Sequence, residues 1–221
     1  MISFTLYNDF VVIFDYRVIV GGKSMSKERK YASRNEKILS TAEKIITKKG
    51  YHHFKMSDIS DKLDIAKGTI YNHYPSKEDL LFALIYPKLE ELRNELKQIV
   101  LSNGSFEEKF YKVIREAIES NYHKFLLFSY SDIAVLFQEK KQIDMERIQD
   151  EIIEGFKKII TFGISEGDIK EEFSVDFLSH QILSSLNPLL HSLLVTDSAK
   201  MTHDDYIKQT TKLLLYGIKK G

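Results

Sequence analysis

The chain of 221 residues has no cysteine, three prolines and ten glycines. The absence of cysteine excludes a disulfide framework, a thiolate metal site and a cysteine nucleophile, and it fits a reducing cytoplasm. Few prolines and glycines, together with many leucine, isoleucine, lysine and glutamate residues, favour an all-helical protein. No run of 18 uncharged apolar residues occurs, so we expect no transmembrane helix and a cytoplasmic location.

The formal net charge is zero, but the charges are unevenly distributed. Residues 25–77 carry 12 lysines and arginines against six aspartates and glutamates, so the rest of the chain is acidic. A basic segment joined to an acidic body indicates an anionic partner for the first segment. Charge alone leaves a second interpretation open, in which these side chains only solvate a surface.

The first 24 residues, MISFTLYNDFVVIFDYRVIVGGKS, differ from the rest of the chain and have a strand preference. They lack the basic start and the small-residue cleavage site of a signal peptide. Gly21-Gly22-Lys23 could be encoded by a purine-rich run that resembles a bacterial ribosome-binding site before Met25. We therefore expect Met25 to be the native start and residues 1–24 to be a leader; a flexible N-terminal arm is the alternative. N-terminal sequencing decides, and a mature chain beginning at Met1 would contradict the expectation.

The apolar spacing of the rest predicts about nine helices. The first covers residues 33–49, with a capping box of Ser33 and Glu36 and with Gly50 at its end. Two short helices follow over 56–63 and 67–74, and a long helix runs from the Ser76 cap to about Leu101, with a kink expected at Pro87. The later helices are predicted over about 105–120, 122–138, 142–165, 174–196 and 203–219.

The stretch AKGTIYNHYPSKEDLL, residues 66–81, places a short polar helix with two tyrosines before a new helix. Two short helices joined by a tight turn and packed on a longer helix form a helix-turn-helix unit, whose second helix enters the DNA major groove. Ile70 and Tyr74 lie one turn apart on the inward face, so Tyr71, Asn72 and His73 are expected to point outward.

The stretch IAKGTIYNHYPSKEDLL closely resembles the helix-turn-helix signature of the TetR family of bacterial transcriptional regulators. The likeness extends back through ILSTAEKIITKKGY and SDIS and covers about residues 33–82. The resemblance implies an all-α homodimer with an N-terminal three-helix DNA-binding domain and a helical ligand-binding and dimerisation bundle. It further implies a ligand-responsive repressor that binds a palindromic operator and is released by a small apolar or amphipathic inducer. The corresponding domains are residues 1–24 (leader or arm), 25–80 (DNA binding) and 81–221 (ligand binding and dimerisation).

The same resemblance assigns roles to individual residues. It implies that His73 and Lys77 hold the DNA backbone, and that five further residues meet base edges or nearby phosphates: Lys67, Gly68, Thr69, Tyr71 and Asn72. The family has threonine or serine at the start of the second helix, where this chain has Phe54 and Lys55. That family residue serves as helix cap and as phosphate ligand. Lys55 can still meet a phosphate as a point charge, and Ser57 is the nearest substitute, so both are predicted DNA-binding residues. Asp64 replaces the usual turn glycine, and aspartate tolerates the left-handed conformation.

The sequence of the C-terminal body predicts a ligand cavity and a dimer interface. A ligand cavity is expected among aromatic and polar residues, although core packing is the alternative for each of them; the candidates are Tyr86, Tyr111, Phe128, Phe137, Phe162 and Asn187. The last two helices carry more apolar surface than one core needs, which predicts a four-helix dimer interface rather than a wholly internal bundle. Its candidate residues are Leu186, Leu190, Leu193, Leu194, Leu213 and Leu214.

Other kinds of site have little support in the sequence. His180 and His191 are spaced to share a helix face, but Pro188 lies between them and no third ligand is evident, so we predict no metal and no cofactor. No nucleophile–base pair is evident, so we predict no enzymatic activity. A protein-interaction module built on a former DNA-binding fold remains the other alternative.

Overall fold

The computed structural model describes residues 6–7, 10–11, 24–126, 137, 139–186, 190–191, 194–195 and 201–219. The chain divides into two units, Met1–Lys37 and Ile38–Gly221. Phe128, Asn187 and Leu193, three of the residues predicted to form functional surfaces, lie outside the described residues.

The first unit contains a short antiparallel hairpin of β1 (Leu6–Tyr7) and β2 (Phe10–Val11), with Leu6 opposite Val11. This agrees with the strand preference of residues 1–24. Helix α1 (Ser24–Lys49) begins in this unit and ends in the second. It starts nine residues before the predicted Ser33 cap, so Ser33 lies inside the helix and that cap prediction is wrong. The lysine, arginine, glutamate and alanine residues between 24 and 37 are good helix formers without glycine or proline to stop them.

The helix-turn-helix elements lie close to their predicted bounds. The amide of Gly50 donates to the Ile46 carbonyl at 2.8 Å, and Gly50 adopts a φ of 77°, so it ends α1 as a left-handed glycine. Helix α2 spans Met56–Leu63 and α3 spans Lys67–His73. Helix α4 (Lys77–Leu101) contains Pro87 and begins at the predicted cap, because the Ser76 Oγ accepts from the Asp79 amide at 3.0 Å.

The body consists of five more helices in the described residues: α5 (Phe106–Glu119), α6 (Asn121–Leu126), α7 (Glu139–Ser165), α8 (Val175–Ser185) and α9 (His203–Ile218). Helix α4 packs against α5, α6 and α7; α8 packs on α7, and α9 packs on α5. The core between them is apolar and includes Leu84, Leu92, Phe110, Ile114, Ile152 and Phe156.

The turn after α7 is fixed by a close contact. A Cβ added to Gly163 would lie 2.6 Å from the ring of Phe106 and 2.8 Å from Ile169, two buried side chains. Gly167 then adopts a φ of 79° in the predicted turn. Only a residue without a side chain lets the end of α7 approach α5 this closely.

Helix α8 is shorter than predicted. The sequence predicted one helix over 174–196, but α8 ends at Ser185, and Leu186 has left helical geometry with a ψ of 39°. Pro188 explains the early end, because a proline disfavours helical backbone in the residue before it and supplies no amide for the helix ladder.

Candidate DNA-binding site

The helix-turn-helix unit is built on a small apolar core. Helix α1 buries Ile38, Ala42 and Ile46 in this core. Ile59 of α2 and Ile70 of α3 are also buried. Phe54, Tyr51 and Tyr74 are also buried, so the inward assignment of Tyr74 is confirmed. This core holds α2 and α3 in place, because each is too short to be stable as an isolated helix.

The turn between α2 and α3 depends on Asp64. This residue has a φ of 51° and a ψ of 51°, which is the left-handed conformation that the sequence allowed for it. Next to it, the Ile65 amide donates to the Ser60 carbonyl at 3.1 Å and closes the end of α2. The aspartate can therefore replace the turn glycine, because its short polar side chain keeps the free-energy cost of the left-handed backbone small.

Helix α3 has one buried side and one exposed side. Ile70 is 1% exposed, whereas Tyr71 is 51% exposed and Lys67, Gly68 and Asn72 are also exposed. Thr69 and His73 are half-buried, so the outward prediction holds fully for Tyr71 and Asn72 but only in part for His73. The His73 ring lies 6.4 Å from the ring of Tyr74, between the outer and inner faces.

Gly68 is not required by packing within the described chain. A Cβ built at this position would meet no atom within 4 Å, and its φ lies outside the left-handed region. The glycine lowers helix stability by roughly 0.5–1 kcal/mol relative to alanine. Its position at the exposed N-terminal end of α3 therefore fits a requirement for close approach by an external molecule rather than a requirement of folding.

The start of α2 is stabilised by Asp58, not by Ser57. Lys55 occupies the N-cap position, its side chain caps nothing, and its amide donates to the Asp58 carboxylate at 3.1 Å. That hydrogen bond is the main cause of the lowered pKa of Asp58, and Lys49, 3.4 Å away, adds to it. Ser57 uses its carbonyl to accept from the Ser60 hydroxyl at 2.8 Å. The prediction of Ser57 as substitute cap is therefore wrong, while Lys55 is exposed as a phosphate contact requires.

Lys77 has an intramolecular partner that the sequence did not indicate. Its ammonium donates to the Tyr51 carbonyl at 2.7 Å and lies 4.0 Å from the centre of the Tyr51 ring. Burial lowers the pKa of Lys77. The residue predicted to grip a phosphate thus also ties the start of α4 to the segment between α1 and α2, with two further ammonium donors left on the same group.

The start of α4 is linked to the body as well. Asp79 accepts a hydrogen bond from the Ser76 hydroxyl at 2.6 Å and forms an ion pair with Lys141 of α7. Burial opposes ionisation of Asp79, but the hydrogen bonds from Lys141 and Ser76 outweigh it and lower the pKa of the carboxyl. Further along, Arg93 pairs with Glu151 at 3.0 Å, so α4 and α7 are joined by charges at two levels.

Among the described residues, the predicted ligand-cavity candidates lie in different surroundings. Tyr86 stacks on Phe82 with ring centres 5.0 Å apart, and Phe137 meets the same Phe82 edge-on at 5.6 Å. Tyr111 lies on α5, within 3.5 Å of an Arg115 nitrogen. Phe162 instead lines an open cleft of about 460 Å³ beside Lys157 and Lys158. Tyr86 and Phe137 thus meet around Phe82 while Phe162 lines a different cleft, and the prediction that some of these residues line a ligand cavity stays a prediction.

The predicted dimer residues have mixed surroundings. Leu213 is 74% exposed, Leu190 and Leu194 are exposed, and Leu214 is half-buried. Leu186, in contrast, is buried within the chain, so its side chain serves the protomer core. Tyr216, which was not predicted, is 67% exposed on the same helix as Leu213.

Three histidines come together although they are distant in the sequence. His191 Nε2 lies 2.9 Å from His203 Nδ1, and the rings of His123 and His191 are 5.5 Å apart between centres. With Glu91, Glu116 and Glu119, His191 and His203 line a cleft of about 660 Å³. No group of three or more histidine, cysteine, aspartate or glutamate residues in the described part of the chain is arranged to hold a metal ion. The pair predicted to share a face, His180 and His191, is separated by the end of α8.

Comparison with known proteins finds similarity in both the helix-turn-helix segment and the overall fold. Residues 38–84 match the family model described as bacterial regulatory proteins of the tetR family. A fatty acid metabolism regulator protein of Bacillus subtilis is 28% identical over 167 residues, covering 72% of this chain and 83% of that protein. A transcriptional repressor of Mycolicibacterium smegmatis, KstR2, is 25% identical over 149 residues, covering 66% of this chain and 73% of the repressor.

A solved structure extends the likeness to the whole fold. The transcriptional regulator FadR from Bacillus subtilis, in complex with stearoyl-CoA, has a TM-score of 0.63 and 21% identity. The match covers 83% of this chain and 98% of that one. Within the described residues, no helix has the length and apolar character that crossing a membrane requires. The match over residues 38–84 shows that the chain carries the DNA-binding segment of the tetR family of bacterial regulatory proteins, and the fold of its helical body is shared with the solved structure.

Proposed function

We propose that this protein is a homodimeric repressor that binds a palindromic operator and dissociates from it when a small apolar or amphipathic molecule binds the body. The observation that carries the proposal is the exposed face of α3. Lys67, Tyr71 and Asn72 are exposed there while Ile70 is buried, and Gly68 leaves the N-terminal end open to close approach. A polar face of this kind, held by a rigid core, suits base-edge contacts in a major groove.

The apolar residues left exposed on the last helices support a dimer. Helix α9 buries Tyr206, Ile207 and Ile218 against its own chain while Leu213 and Tyr216 remain exposed. A helix that is apolar on two sides needs a second partner to cover the outer side, and a second copy of the chain supplies one by two-fold symmetry. Two copies would also present two α3 helices, as a palindromic operator requires when its half-sites lie about 34–36 Å apart.

Release by a ligand would act through α4. This helix runs without interruption from the end of the helix-turn-helix unit into the body, and Asp79 and Arg93 join it to α7. A ligand that favours one arrangement of α4 and α7 would shift the position of α3, provided that its affinity differs between the two arrangements. Pro87 removes one backbone hydrogen bond from α4 and defines where the helix bends most easily.

The identity of the relatives favours an effector with a long apolar part. One relative is named as a regulator of fatty acid metabolism, and one structural neighbour holds stearoyl-CoA. We infer an amphipathic effector such as a fatty acyl thioester for this chain. The same relatives are regulators, which supports the expectation that the chain has no enzymatic activity.

Selection of bound sequences from a random DNA pool, followed by gel-shift assays, tests the proposal. We expect a palindromic consensus and binding that weakens steeply with salt, because phosphate contacts release counterions. Tyr71→Ala and Lys67→Ala should reduce the preference for the consensus over a scrambled duplex, and stearoyl-CoA should release the complex when octanoate does not. Equal binding of consensus and scrambled DNA by the wild-type protein would refute the function. Equal spacing of the α3 helices in operator-bound and ligand-bound structures would refute the release mechanism.

A further inference from the structure

The part of α1 that precedes the helix-turn-helix core carries a stripe of positive charge. Residues 24–37 contain five basic and two acidic side chains. Lys27, Lys30, Arg34 and Lys37 follow one another at intervals of three or four residues, which places them within an arc of about 80° on a helix that turns 100° per residue. We call these four residues the basic stripe. Glu28 and Glu36 fall outside this arc.

The basic stripe is exposed, and so are the residues around it. Every side chain from Lys27 to Arg34 is exposed, including Tyr31, which lies beside the stripe. From Lys27 onward, the first buried residue of α1 is Ile38, where the second unit of the chain begins. The first three turns of α1 therefore contribute little to a hydrophobic core, although they adopt helical backbone.

The spacing of the stripe is unfavourable for a helix in water. Lys27 and Lys30, Lys30 and Arg34, and Arg34 and Lys37 are like-charge neighbours at i,i+3 or i,i+4, and each such pair destabilises a helix by about 0.2–0.5 kcal/mol. The first turn of α1 also has no acidic residue to offset the positive end of the helix dipole. A polyanion placed along the stripe would remove this repulsion, so the sequence is better suited to the bound state than to the free helix.

We propose that the basic stripe binds the phosphate backbone of duplex DNA as a second contact surface in addition to α3. The stripe extends about 15 Å along the helix axis, at 1.5 Å per residue, which matches several successive phosphates of one DNA strand. It reads no sequence, because its side chains are point charges and phosphates carry no sequence information. This inference rests on the proposed operator binding, since the stripe leads directly into the helix-turn-helix unit.

The full-length protein with all four stripe residues changed to glutamine tests the inference. Glutamine has nearly the helix propensity of lysine and arginine, so the helix is retained and only charge is lost. The slope of log affinity against log salt should fall by about 0.9 for each lost phosphate contact, and by about 3.6 per protomer if all four are lost. The matched control changes four exposed lysines of the body to glutamine: Lys97, Lys112, Lys158 and Lys208. This control should keep the wild-type slope.

Ethylation interference and amide hydrogen exchange supply two further readouts. Ethylation of certain phosphates should weaken DNA binding by the wild-type protein but not by the stripe variant. Amide hydrogen exchange over residues 27–37 of the wild-type protein should slow when duplex DNA is added. An unchanged slope in the stripe variant would overturn the inference. A reduced slope with an unchanged ethylation pattern would also overturn it, because distant charge would then explain the effect without contact.

Tyr71→Ala separates this inference from the proposed function. If Tyr71→Ala removes the preference for the operator while the stripe variant behaves as wild type, operator binding stands and the stripe contact is refuted. If the wild-type protein binds operator and scrambled duplexes equally but the stripe variant loses slope on both, the stripe contact stands and sequence-specific binding is refuted. If the wild-type protein binds no duplex, both are refuted.

Discussion

Asp58→Ala should destabilise the helix-turn-helix unit, because Asp58 supplies the cap that α2 otherwise lacks. The aspartate carboxylate accepts the Lys55 amide at 3.1 Å and lies 3.4 Å from the Lys49 ammonium. Loss of a helix cap costs about 1 kcal/mol, within a range of 0.5–2. The partly exposed pair with Lys49 adds at most a fraction of that amount. Alanine returns about 0.5 kcal/mol through its higher helix propensity, so the net loss should be about 0.5–1 kcal/mol.

Urea unfolding followed by circular dichroism measures this loss. Asp61→Ala is the matched control, since Asp61 is an exposed aspartate on the same helix and reports the propensity gain alone. The difference between Asp58→Ala and wild type should also depend on pH. The pKa of Asp58 is lowered in the folded state, so its contribution is fully present above the ordinary aspartate pKa and is lost as the pH falls through the folded value.

Operator binding provides a second measurement of the same change. Because α2 supports α3, a loosened α2 start should weaken operator affinity more in Asp58→Ala than in Asp61→Ala. If both variants have the same free energy of unfolding at pH 7, or if the difference between them does not shrink as the pH falls below the ordinary aspartate pKa, Asp58 does not act as the cap.

Three other predictions follow from packing, assembly and titration. Gly163→Ala should lower the free energy of unfolding by roughly 1–3 kcal/mol in thermal unfolding, because the new Cβ would overlap the buried Phe106 ring. The control Gly155→Ala, whose new Cβ would have its nearest contact at 3.6 Å, should be neutral or stabilising. Equal effects of the two changes would contradict the packing argument. Leu213→Asp should shift the protein toward monomer in analytical ultracentrifugation while Gln209→Asp, an exposed control on the same helix, should not; a dimer that tolerates both excludes Leu213 from the interface. Burial and the neighbouring His203 lower the pKa of His191, so the folded state favours the neutral imidazole. The protein should therefore have its full stability above about pH 6.5, the ordinary histidine pKa, and lose stability as the pH falls through the lower pKa of folded His191. His191→Gln should flatten this pH dependence and exposed His180→Gln should not, and an unchanged profile in His191→Gln would refute the assignment.

The helix-turn-helix unit could be predicted from the sequence because its signals are local. A glycine ends α1, a serine caps α4, and one apolar residue per turn fixes the inward face of α3, so Gly50, Ser76 and Ile70 lie where the spacing placed them. Each of these effects operates within one or two helical turns and needs no knowledge of distant residues. The exposure of Tyr71 and Asn72 follows from the same periodicity.

The two helix bounds that were predicted wrongly, the start of α1 and the end of α8, also have local causes. Good helix formers extend α1 back to Ser24 despite the serine at position 33. Pro188 ends α8 early, and that end leaves Leu186 in the protomer core. In α1 the neighbours override the cap signal of one residue, whereas in α8 one residue, Pro188, overrides the apolar spacing of its neighbours.

The sequence by itself determined the helical class, helix α3 and its outward residues, because periodicity, caps and turn residues act over a few positions. Tertiary structure alone decided where Lys77 points and which aromatics meet. It also brought His123, His191 and His203 together across 80 residues of chain. Side chains distant in the sequence meet only after whole helices have packed, and the packing geometry depends on many small contacts that no single motif records.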